Sequence, residues 1–358
     1  MSILNVVGAK VWGGGEQYVY DICQQLQQRH RSSYILVDQS NLDMQSRYAQ
    51  VGYVMTANLY IFKGFLSLNT VVKQVKDNNI DTIICHSGKY ILFCIALKRL
   101  TGAKLVFIKH NLVSGKSDIY HRWINAQVDA FVCVSKLVYD ELMTPVIKDT
   151  DKYHIVYNGI NPDRFSGMAP FESHLHRPIE TFGFVGRITE HKGLYVLLDA
   201  MKHIHGQNPK STLIICGDGT DKQIKHMLSY IRKSGMDGYV QYVGFKSDMV
   251  PVYEQMDCLV LPTITREAFG LVICEAMYCG VPVISSGSGA QREMIEHGES
   301  GYIVDPLDVD ALIHCMNYVM KHTEYQSRII IKARHTVETK FTISRVVDEL
   351  LSIIDDIH

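Results

Sequence analysis

Residues 184–200 read FVGRITEHKGLYVLLDA, and this stretch decides the fold class of the chain. It contains the end of a short apolar strand, Thr181–Val185. A charged turn with glycines follows, and then a segment of helical periodicity. Val/Ile-rich strands and helical segments alternate in the same way from one end of the chain to the other. Such alternation is typical of βαβ units and parallel sheets, so the sequence predicts an α/β protein.

Two series of strand candidates divide the chain, with the polar stretch Ser166–Pro178 between them. The first series comprises Ile3–Gly8, Tyr34–Val37, Thr82–Cys85, Lys104–Ile108, Ala130–Val134 and His154–Tyr157. The second comprises Thr181–Val185, Thr212–Cys216, Val240–Val243, Cys258–Leu261 and Val281–Ser285. We therefore predict two doubly wound, Rossmann-like domains, 1–165 and 178–338, that face a central cleft. An amphipathic helix at Phe341–Ile357 is expected to cross back, which adds 339–358 to the first domain.

The composition excludes several classes of protein. The chain has 358 residues, enough for about two domains, and its 47% hydrophobic and 20% charged residues exclude a disordered or fibrous chain. A net charge of −1 argues against a dedicated nucleic-acid binder. No apolar stretch has the roughly 18–20 residues of a membrane span, and the N-terminus does not resemble a signal peptide. The nine cysteines include no Cys-x-x-Cys pair, which indicates reduced, buried thiols and a cytoplasmic location.

The charge is unevenly distributed along the chain. Residues 1–164 contain 18 Lys/Arg and 13 Asp/Glu, whereas residues 165–358 contain 18 and 24. A basic first half suits peripheral contact with an anionic membrane surface or a phosphorylated, lipid-linked acceptor. An ordinary scatter of surface lysines is the alternative. The cations that suggest the membrane surface are Lys98, Arg99, Lys104, Lys109 and Lys116.

Two glycine-containing turns follow strands and precede helices. Gly13, Gly14 and Gly15 follow the first strand, and a backbone without side chains there can approach an anion at the next helix N-terminus. A plain tight turn explains these glycines equally well, and no Walker A motif is present. In the second turn, Arg187 and Lys192 are two cations five residues apart, which suits a diphosphate; a solvated loop is the alternative.

Two carboxylates flank a junction between a loop and a helix. Glu267 and Glu275 lie eight residues apart in EAFGLVICE, and Glu275 is expected about one turn into the helix. Ionised carboxylates accept hydrogen bonds, as sugar and ribose hydroxyls require, and the backbone N–H groups of 268–271 are orphan donors of the helix. A capping Glu and a surface Glu are the alternative. His110 ends a strand, where a lone histidine is more often structural.

This pattern resembles the E-x7-E signature of retaining glycosyltransferases of family 4, which have the GT-B fold. The resemblance covers nearly the whole chain and is strongest from about 153 to 309. Asn161 stands where the family more often has Asp. The stretches that carry it are AFVCVSKLVYDEL (130–142), VYNGINPDRF (156–165), FVGRITEHKG (184–193), ICGDG (215–219), VGFKSDM (243–249), LPTITREAFGLVICEAMYCGVPVI (261–284) and ESGYIV (299–304).

The resemblance implies roles for individual residues. Arg187 and Lys192 would grip the diphosphate of a nucleotide-sugar donor, and Glu275 would accept hydrogen bonds from the ribose. Glu267 would orient the transferred sugar, and His110 would have a functional role at the reacting centre. The implied catalytic residues are His110, Glu267, Arg187 and Lys192. The implied donor-binding residues are Gly14, Gly15, Gly186, Arg187, Lys192, Glu267, Ala268, Phe269, Gly270, Leu271 and Glu275.

The resemblance also implies a reaction. A hexose or N-acetylhexosamine would pass, with retention, from a nucleotide sugar, most commonly a UDP-sugar, to a saccharide or lipid-linked acceptor in bacterial surface polysaccharide or lipopolysaccharide synthesis. No metal and no other cofactor is expected, since no Asp-x-Asp motif ends a strand. A sugar-nucleotide 2-epimerase on the same fold and a non-catalytic, two-lobed sugar-nucleotide-binding protein are the alternatives; the missing signal peptide disfavours a secreted solute-binding protein.

Overall fold

A computed structural model describes residues 1–8, 12–59, 61–144 and 150–358, with the backbone alone for 61–66. The chain divides into two compact units. Unit 1 comprises Met1–Ile160 and Ile343–His358, and unit 2 comprises Asn161–Thr342. Each unit contains one parallel sheet with helices between successive strands.

Unit 1 is built on a seven-stranded sheet in the order β3-β2-β1-β4-β5-β6-β7. All the neighbouring strands in this order pair in parallel. Its elements are β1 (Ser2–Val6), α1 (Gly14–Gln28), β2 (Ser32–Asp38), α2 (Leu42–Tyr48), β3 (Tyr53–Ala57), α3 (Ile61–Asp77), β4 (Thr82–Cys85), a 3-10 helix (Gly88–Tyr90), α4 (Ile91–Thr101), β5 (Lys104–Lys109), α5 (Ile119–Gln127), β6 (Ala130–Cys133), α6 (Lys136–Met143) and β7 (Tyr153–Ile155).

Unit 2 is built on a six-stranded parallel sheet in the order β10-β9-β8-β11-β12-β13. Helix α14 (Ile343–Ile357) follows it in the chain and belongs to unit 1. The elements of unit 2 are three 3-10 helices (Pro162–Phe165, Phe171–His174 and Glu190–Lys192), β8 (Thr181–Val185), α7 (Leu194–Gln207), β9 (Thr212–Cys216), α8 (Asp221–Lys233), β10 (Val240–Gly244), α9 (Val250–Glu254), β11 (Cys258–Leu261), α10 (Leu271–Tyr278), β12 (Val283–Ser286), α11 (Gln291–Met294), β13 (Tyr302–Val304), α12 (Val309–Lys321) and α13 (Thr323–Lys340).

Both sheets reverse their strand order beside their first strand, as Rossmann-like sheets do. In unit 1 the reversal falls between β1 and β4, and in unit 2 between β8 and β11. The predicted class, two doubly wound α/β halves, is therefore confirmed. Two strands escaped prediction, β3 and β13. Both lie at sheet edges, and β13 has only three residues, so neither forms a long apolar run.

Unit 2 starts at Asn161, earlier than residue 178, where the second domain was predicted to start. Residues 161–178 belong to unit 2 because Phe165 is buried against Tyr253 and Tyr278 of that unit, at ring distances of 6.1 and 6.0 Å. Residues 339–342, expected in the first domain, also belong to unit 2. There Phe341 is buried and packs edge to face on Phe269.

Helix α14 packs on α1, so the predicted return of the C-terminal helix to the first half is confirmed. Its apolar face is buried, and Arg29 at the end of α1 forms an ion pair with Asp348, with 2.6 Å between Nη1 and Oδ1. The Ile343 amide donates to the Ile160 carbonyl at 2.7 Å, which joins the two points where the chain leaves and re-enters unit 1.

All nine cysteines are buried and none forms a disulfide, as their position in apolar runs predicts. Across the described ranges, we find no helix that is both long enough and apolar enough to cross a membrane.

Helix α14 should contribute strongly to the stability of unit 1. Leu350→Ala removes a fully buried side chain and should lower the free energy of unfolding by about 2–5 kcal/mol, because it leaves a cavity. The neighbouring Leu351 is half-buried, so Leu351→Ala should cost less than about 1 kcal/mol. Urea denaturation of both variants measures the difference; equal losses would contradict the packing described.

Candidate functional site

Two of the charged residues predicted from the second half, Lys192 and Glu267, meet where the strand order of unit 2 reverses. Lys192 lies in the loop after β8, and Glu267 lies in the loop after β11, the neighbouring strand. Their side chains form an ion pair with 2.5 Å between Nζ and Oε1. In doubly wound sheets, the carboxyl edge at such a reversal is where ligands bind. Two motifs 75 residues apart in sequence thus form one cluster.

Two glycines let the backbone loops of this edge approach each other. Gly193 has a left-handed φ of +71°, and a Cβ there would lie 1.8 Å from the Pro262 carbonyl oxygen. Gly217 has φ +149°, and a Cβ there would lie 1.8 Å from the Gly186 carbonyl oxygen. Only glycine fits either position. The loop after β8 is therefore held against the loops after β9 and β11.

The Glu267 backbone is fixed by the loop after β12. Its carbonyl accepts from the Ala290 amide at 3.0 Å, and Gly289 passes so close that a Cβ would lie 2.4 Å from the Glu267 nitrogen. On its other side, the Thr263 hydroxyl lies 3.4 Å from Oε2. The Glu267 carboxylate is thus held in place by its backbone and by Lys192.

Arg187 differs from Lys192 in having a solvent-exposed side chain. Within the described ranges, its guanidinium makes no ion pair or side-chain hydrogen bond. The preceding residue, Gly186, donates its amide to the Cys216 carbonyl at 3.0 Å, which fixes the start of the loop. The segment between β8 and α7 therefore contains one paired cation and one whose donors are open to a ligand.

Helix α10 points its N-terminus into the same loop region. Gly270 precedes the helix with φ +118°, and no side chain caps this end in the part of the chain that the structure describes. First-turn N–H groups of an uncapped helix, here those of Leu271 onward, suit an anion or a hydroxyl oxygen. The Phe269 side chain is buried against Phe341, so this residue and its neighbour Ala268 offer mainly backbone to a ligand.

The structure gives Glu275 an environment that its sequence did not reveal. Its side chain is only 9% exposed and accepts from the Arg164 guanidinium at 3.2 Å and from the Tyr253 hydroxyl at 2.8 Å. Burial, together with the negative charge of Glu275, raises the pKa of Tyr253 well above its ordinary value. The phenol therefore keeps its proton and donates it to the hydrogen bond. The carboxylate anchors α10 to residues 161–165 and to α9. Its contact with ribose stays a prediction.

In unit 1, His110 follows β5 and contacts a second histidine that follows β4. His86 Nδ1 lies 3.2 Å from His110 Nε2, and His86 Nε2 lies 3.0 Å from Oδ1 of Asn5 on β1. The Tyr18 ring packs edge to face on His110 at 5.4 Å. Burial lowers the pKa of His110 to about 4. The pKa of His86 is held well below its ordinary value, mainly by burial and also by the neighbouring His110. Both rings are therefore neutral near pH 7.

The glycines predicted to approach the donor lie at the start of α1, which follows β1. Gly13 is extended and precedes the helix, and Gly14 and Gly15 are its first two residues. A Cβ at Gly15 would meet nothing within 4 Å, so this backbone is open on one side. Both His110 and these glycines thus belong to unit 1, whereas the remaining predicted site residues belong to unit 2.

In residues 1–8, 12–59, 61–144 and 150–358, no three or more His, Cys, Asp or Glu side chains are grouped to hold a metal ion. The absence of a metal and of any other cofactor stays a prediction.

Sequence profiles of known families match both halves of the chain. The profile described as Glycosyltransferase Family 4 matches residues 12–164, and that described as Glycosyl transferases group 1 matches residues 171–336. The chain belongs to the family 4 glycosyltransferases. The two matched segments fall on the two units, and the second contains every predicted site residue of unit 2.

Several curated glycosyltransferases are similar in sequence. An uncharacterized glycosyltransferase of Methanocaldococcus jannaschii is 29% identical over 62% of this chain and 58% of its own length. The amylovoran biosynthesis glycosyltransferase AmsK of Erwinia amylovora is 28% identical over 65% and 57%. The match thus spans little more than half of these relatives. An Escherichia coli UDP-Gal:alpha-D-GlcNAc-diphosphoundecaprenol alpha-1,3-galactosyltransferase is 23% identical over 84% and 81%.

Solved structures support the same fold. A glycosyltransferase from Rickettsia africae superposes with a TM-score of 0.86 at 22% identity, covering 99% of this chain and 98% of its own. HepE of Anabaena, solved in complex with UDP and glucose, superposes with a TM-score of 0.83 at 20% identity, covering 99% of both chains. At these identities the likeness shows the fold, which agrees with the GT-B expectation.

Sequence reasoning missed the residues that support the predicted ones. Asn5 is a buried amide inside an apolar strand, and His86, like His110, directly follows a strand. These two positions were a usable signal, because adjacent parallel strands bring their carboxyl ends together. Arg164 and Tyr253 gave no such signal, since their contact with Glu275 depends on tertiary packing across 111 and 22 residues.

The Glu275 anchor predicts a stability effect. Tyr253→Phe removes a hydrogen bond to a buried carboxylate and should lower the free energy of unfolding by about 1.5–3 kcal/mol. Tyr195→Phe is the matched control, because the Tyr195 hydroxyl bonds His226 at an exposed position and its loss should cost under about 0.5 kcal/mol. Equal midpoints for the two variants in urea would contradict the anchoring role of Tyr253.

Proposed function

We propose that the chain is a retaining glycosyltransferase that uses a nucleotide-diphosphate sugar, most simply a UDP-sugar. It moves a hexose or N-acetylhexosamine to a saccharide or lipid-linked acceptor in bacterial surface polysaccharide or lipopolysaccharide synthesis. One observation carries the proposal: Lys192 and Glu267 form an ion pair at the strand reversal of unit 2, in the segments that also contain Arg187 and lead into α10.

The cations of this cluster suit the departure of a nucleoside diphosphate. When the bond between the sugar C1 and the phosphate oxygen breaks, negative charge grows on the phosphate. The open fork of Arg187 can bind phosphate oxygens in pairs, and Lys192 supplies a point charge held ready by Glu267. Backbone positions 186 and 193 cannot shift far, because their loops are packed on glycines. The backbone that carries both cations is therefore preorganised, and Lys192 is also held by Glu267.

Glu267 is assigned to positioning of the sugar. Its ion pair with Lys192 occupies Oε1 and leaves the carboxylate with further lone pairs for hydroxyl hydrogens. In the proposed reaction the acceptor oxygen attacks C1 on the face from which the diphosphate leaves, and its proton passes to the leaving phosphate oxygen. This route retains configuration without a covalent sugar–enzyme intermediate.

His110 suits a neutral role at the reacting centre. Because burial lowers its pKa to about 4, the ring does not carry charge at the pH of the cytoplasm. It can exchange a hydrogen bond with a sugar hydroxyl, and it does not serve as a permanent cation for phosphate. Gly14 and Gly15 would leave room for the donor at the start of α1.

The relatives support the choice of substrates. The name of the Escherichia coli relative specifies a UDP-galactose donor and a diphosphoundecaprenol-linked acceptor, and HepE was solved with UDP and glucose. AmsK is named for amylovoran biosynthesis. A UDP-sugar and a saccharide or lipid-linked acceptor are the corresponding proposal for this chain.

The donor site predicts the effect of removing its cations. Arg187→Ala and Lys192→Ala should each lower kcat by about 10²–10³-fold, because each removes a group that stabilises the leaving charge. Lys225→Ala removes an exposed lysine of α8 and is the matched control. Turnover is measured as nucleotide release with UDP-, GDP- and ADP-sugars after a thermal-shift panel selects the donor, since ligand at 100 times its Kd stabilises by about 2.7 kcal/mol.

Three results would count against this proposal. Near-normal turnover of Arg187→Ala and Lys192→Ala would contradict the assignment of the donor site. An isomerised nucleotide sugar, formed from the donor without any acceptor, would favour the 2-epimerase alternative. Tight donor binding without turnover across a panel of acceptors would favour a non-catalytic binding protein.

We also propose that unit 1 rests on an anionic membrane surface at the inner face of the cytoplasmic membrane. Net charge alone does not support this, because unit 1 with its acidic α14 contains 18 Lys/Arg and 16 Asp/Glu. Lys98 is paired with Asp129 at 2.6 Å, and Lys109 lies over the Phe107 ring at 4.1 Å. Arg99 also donates to Gln127 Oε1, at 2.8 and 3.1 Å, so three of the five suggested cations are engaged within the protein.

A local surface supports the membrane proposal better. Residues 113–123, the end of a loop and the start of α5, expose apolar and aromatic side chains, among them Ile119 at 82% exposure. Lys116 and Arg122 are exposed in the same segment, and Arg99 lies 5.4 Å from the Trp123 ring centre. Aromatic side chains among cations suit the headgroup region of an anionic bilayer. The exposed apolar residues are Val113, Ile119, Tyr120 and Trp123.

This surface predicts salt-sensitive binding to vesicles. The protein should float with phosphatidylglycerol-containing liposomes at low salt, and Ile119→Ser combined with Trp123→Ser should weaken flotation about tenfold. Tyr325→Ser with Ile331→Ser removes two exposed apolar side chains of unit 2 and is the control. Flotation that is absent, or equal for neutral and anionic vesicles at all salt concentrations, would contradict the membrane proposal.

A further inference from the structure

A chain of buried polar side chains leads from the core of unit 1 to His110. Asn5 is fully buried in the central strand β1, where an unsatisfied amide would be costly. Its Nδ2 donates to Cys23 Sγ at 3.5 Å, and its Oδ1 lies 3.0 Å from His86 Nε2. His86 Nδ1 in turn lies 3.2 Å from His110 Nε2. Three hydrogen bonds therefore join four residues of β1, α1 and the ends of β4 and β5.

The direction of each bond follows from the one before it. The Asn5 carbonyl oxygen can only accept, so His86 must carry its proton on Nε2. A neutral His86 then has a lone pair on Nδ1, and His110 Nε2 must donate to it. His110 is left with a lone pair on Nδ1, to which no residue in the described parts of the chain is hydrogen-bonded.

We propose that Asn5 and His86 are positioning residues that hold His110 in the Nε2–H tautomer, with Nδ1 presented as a hydrogen-bond acceptor. A ligand group that meets Nδ1 must then be a donor, such as a hydroxyl of a sugar. A phosphate or carbonyl oxygen would meet a lone pair and be repelled. The tautomer itself is independent of the proposed function; its effect on catalysis rests on the proposed role of His110.

The surroundings of the two histidines are aromatic and neutral. The two rings lie 21° from coplanar with centres 5.5 Å apart, and the Tyr18 ring stands edge-on to His110. Burial raises the pKa of the Cys23 thiol to about 12, so this end of the chain stays neutral. A neutral chain has no charged group that would force His86 to take a second proton.

Replacing Asn5 by Asp should reverse the chain. A carboxylate accepts only and favours the imidazolium form of His86, which raises the pKa of His86. The doubly protonated His86 then donates from Nδ1, so His110 Nε2 must accept and its proton must move to Nδ1. Asn5→Asp thus converts the free nitrogen of His110 from an acceptor into a donor. The size of the side chain at position 5 hardly changes, because an oxygen replaces the NH2 group.

The test is ¹⁵N NMR of the full chain labelled at histidine, with the His110 signals assigned from the spectrum of His110→Gln. In the wild type, we expect His110 as a single Nε2–H tautomer between pH 6 and 8. Asn5→Asp should give Nδ1–H, and His86→Leu should give a mixture. His86→Gln restores a donor and an acceptor and should restore the Nε2–H form. If Asn5→Asp does not fold, the two His86 variants still test the tautomer.

Transfer kinetics then separate the two proposals. kcat/KM should fall at least tenfold in Asn5→Asp and His86→Leu, should recover in His86→Gln, and should not change in the exposed control His203→Gln. A wild-type His110 with its proton on Nδ1, or an unchanged tautomer in His86→Leu, overturns the inference whatever the activity. A tautomer that reverses while transfer is unchanged supports the inference and contradicts the role of His110 in the proposed function.

Discussion

The reversal of strand order beside the first strand of each sheet is the constraint on which the candidate site depends. At that point the chain turns away on both sides, and the loops that follow two neighbouring strands have no crossover between them. In unit 2 these loops carry Lys192 and Glu267, and in unit 1 they carry the glycines of α1 and His86. Residues far apart in sequence meet there because neighbouring parallel strands end at the same edge of the sheet.

The ion pair of Lys192 and Glu267 illustrates how that place is prepared electrostatically. Both side chains are about one-fifth exposed, so the pair is partly desolvated and needs good geometry to remain favourable. Gly193, next to Lys192, and Gly289, which packs on the Glu267 backbone, support this geometry because they let neighbouring loops approach closely. A phosphate that entered would share the lysine with the carboxylate, whereas Arg187 could bind it without first breaking another contact.

The repeat of strand and helix was predictable from the sequence, and so were most strands, because apolar runs and helical periodicity are local signals. Edge strands β3 and β13 were not, since β3 mixes exposed with buried residues and β13 has only three residues. The motifs located the candidate site residues, but not their partners. Which groups satisfy Glu275 is set by packing between elements, and alternation along the chain does not contain that information.

The short bond between Ile160 and Ile343 has a consequence for how the protein is made. In the sequence, unit 2 is one uninterrupted segment between the two segments of unit 1, and this bond joins the residues that flank it. On the ribosome, unit 2 can therefore complete its core while α1 still lacks the helix that covers it. Unit 1, although it begins first, can only finish last.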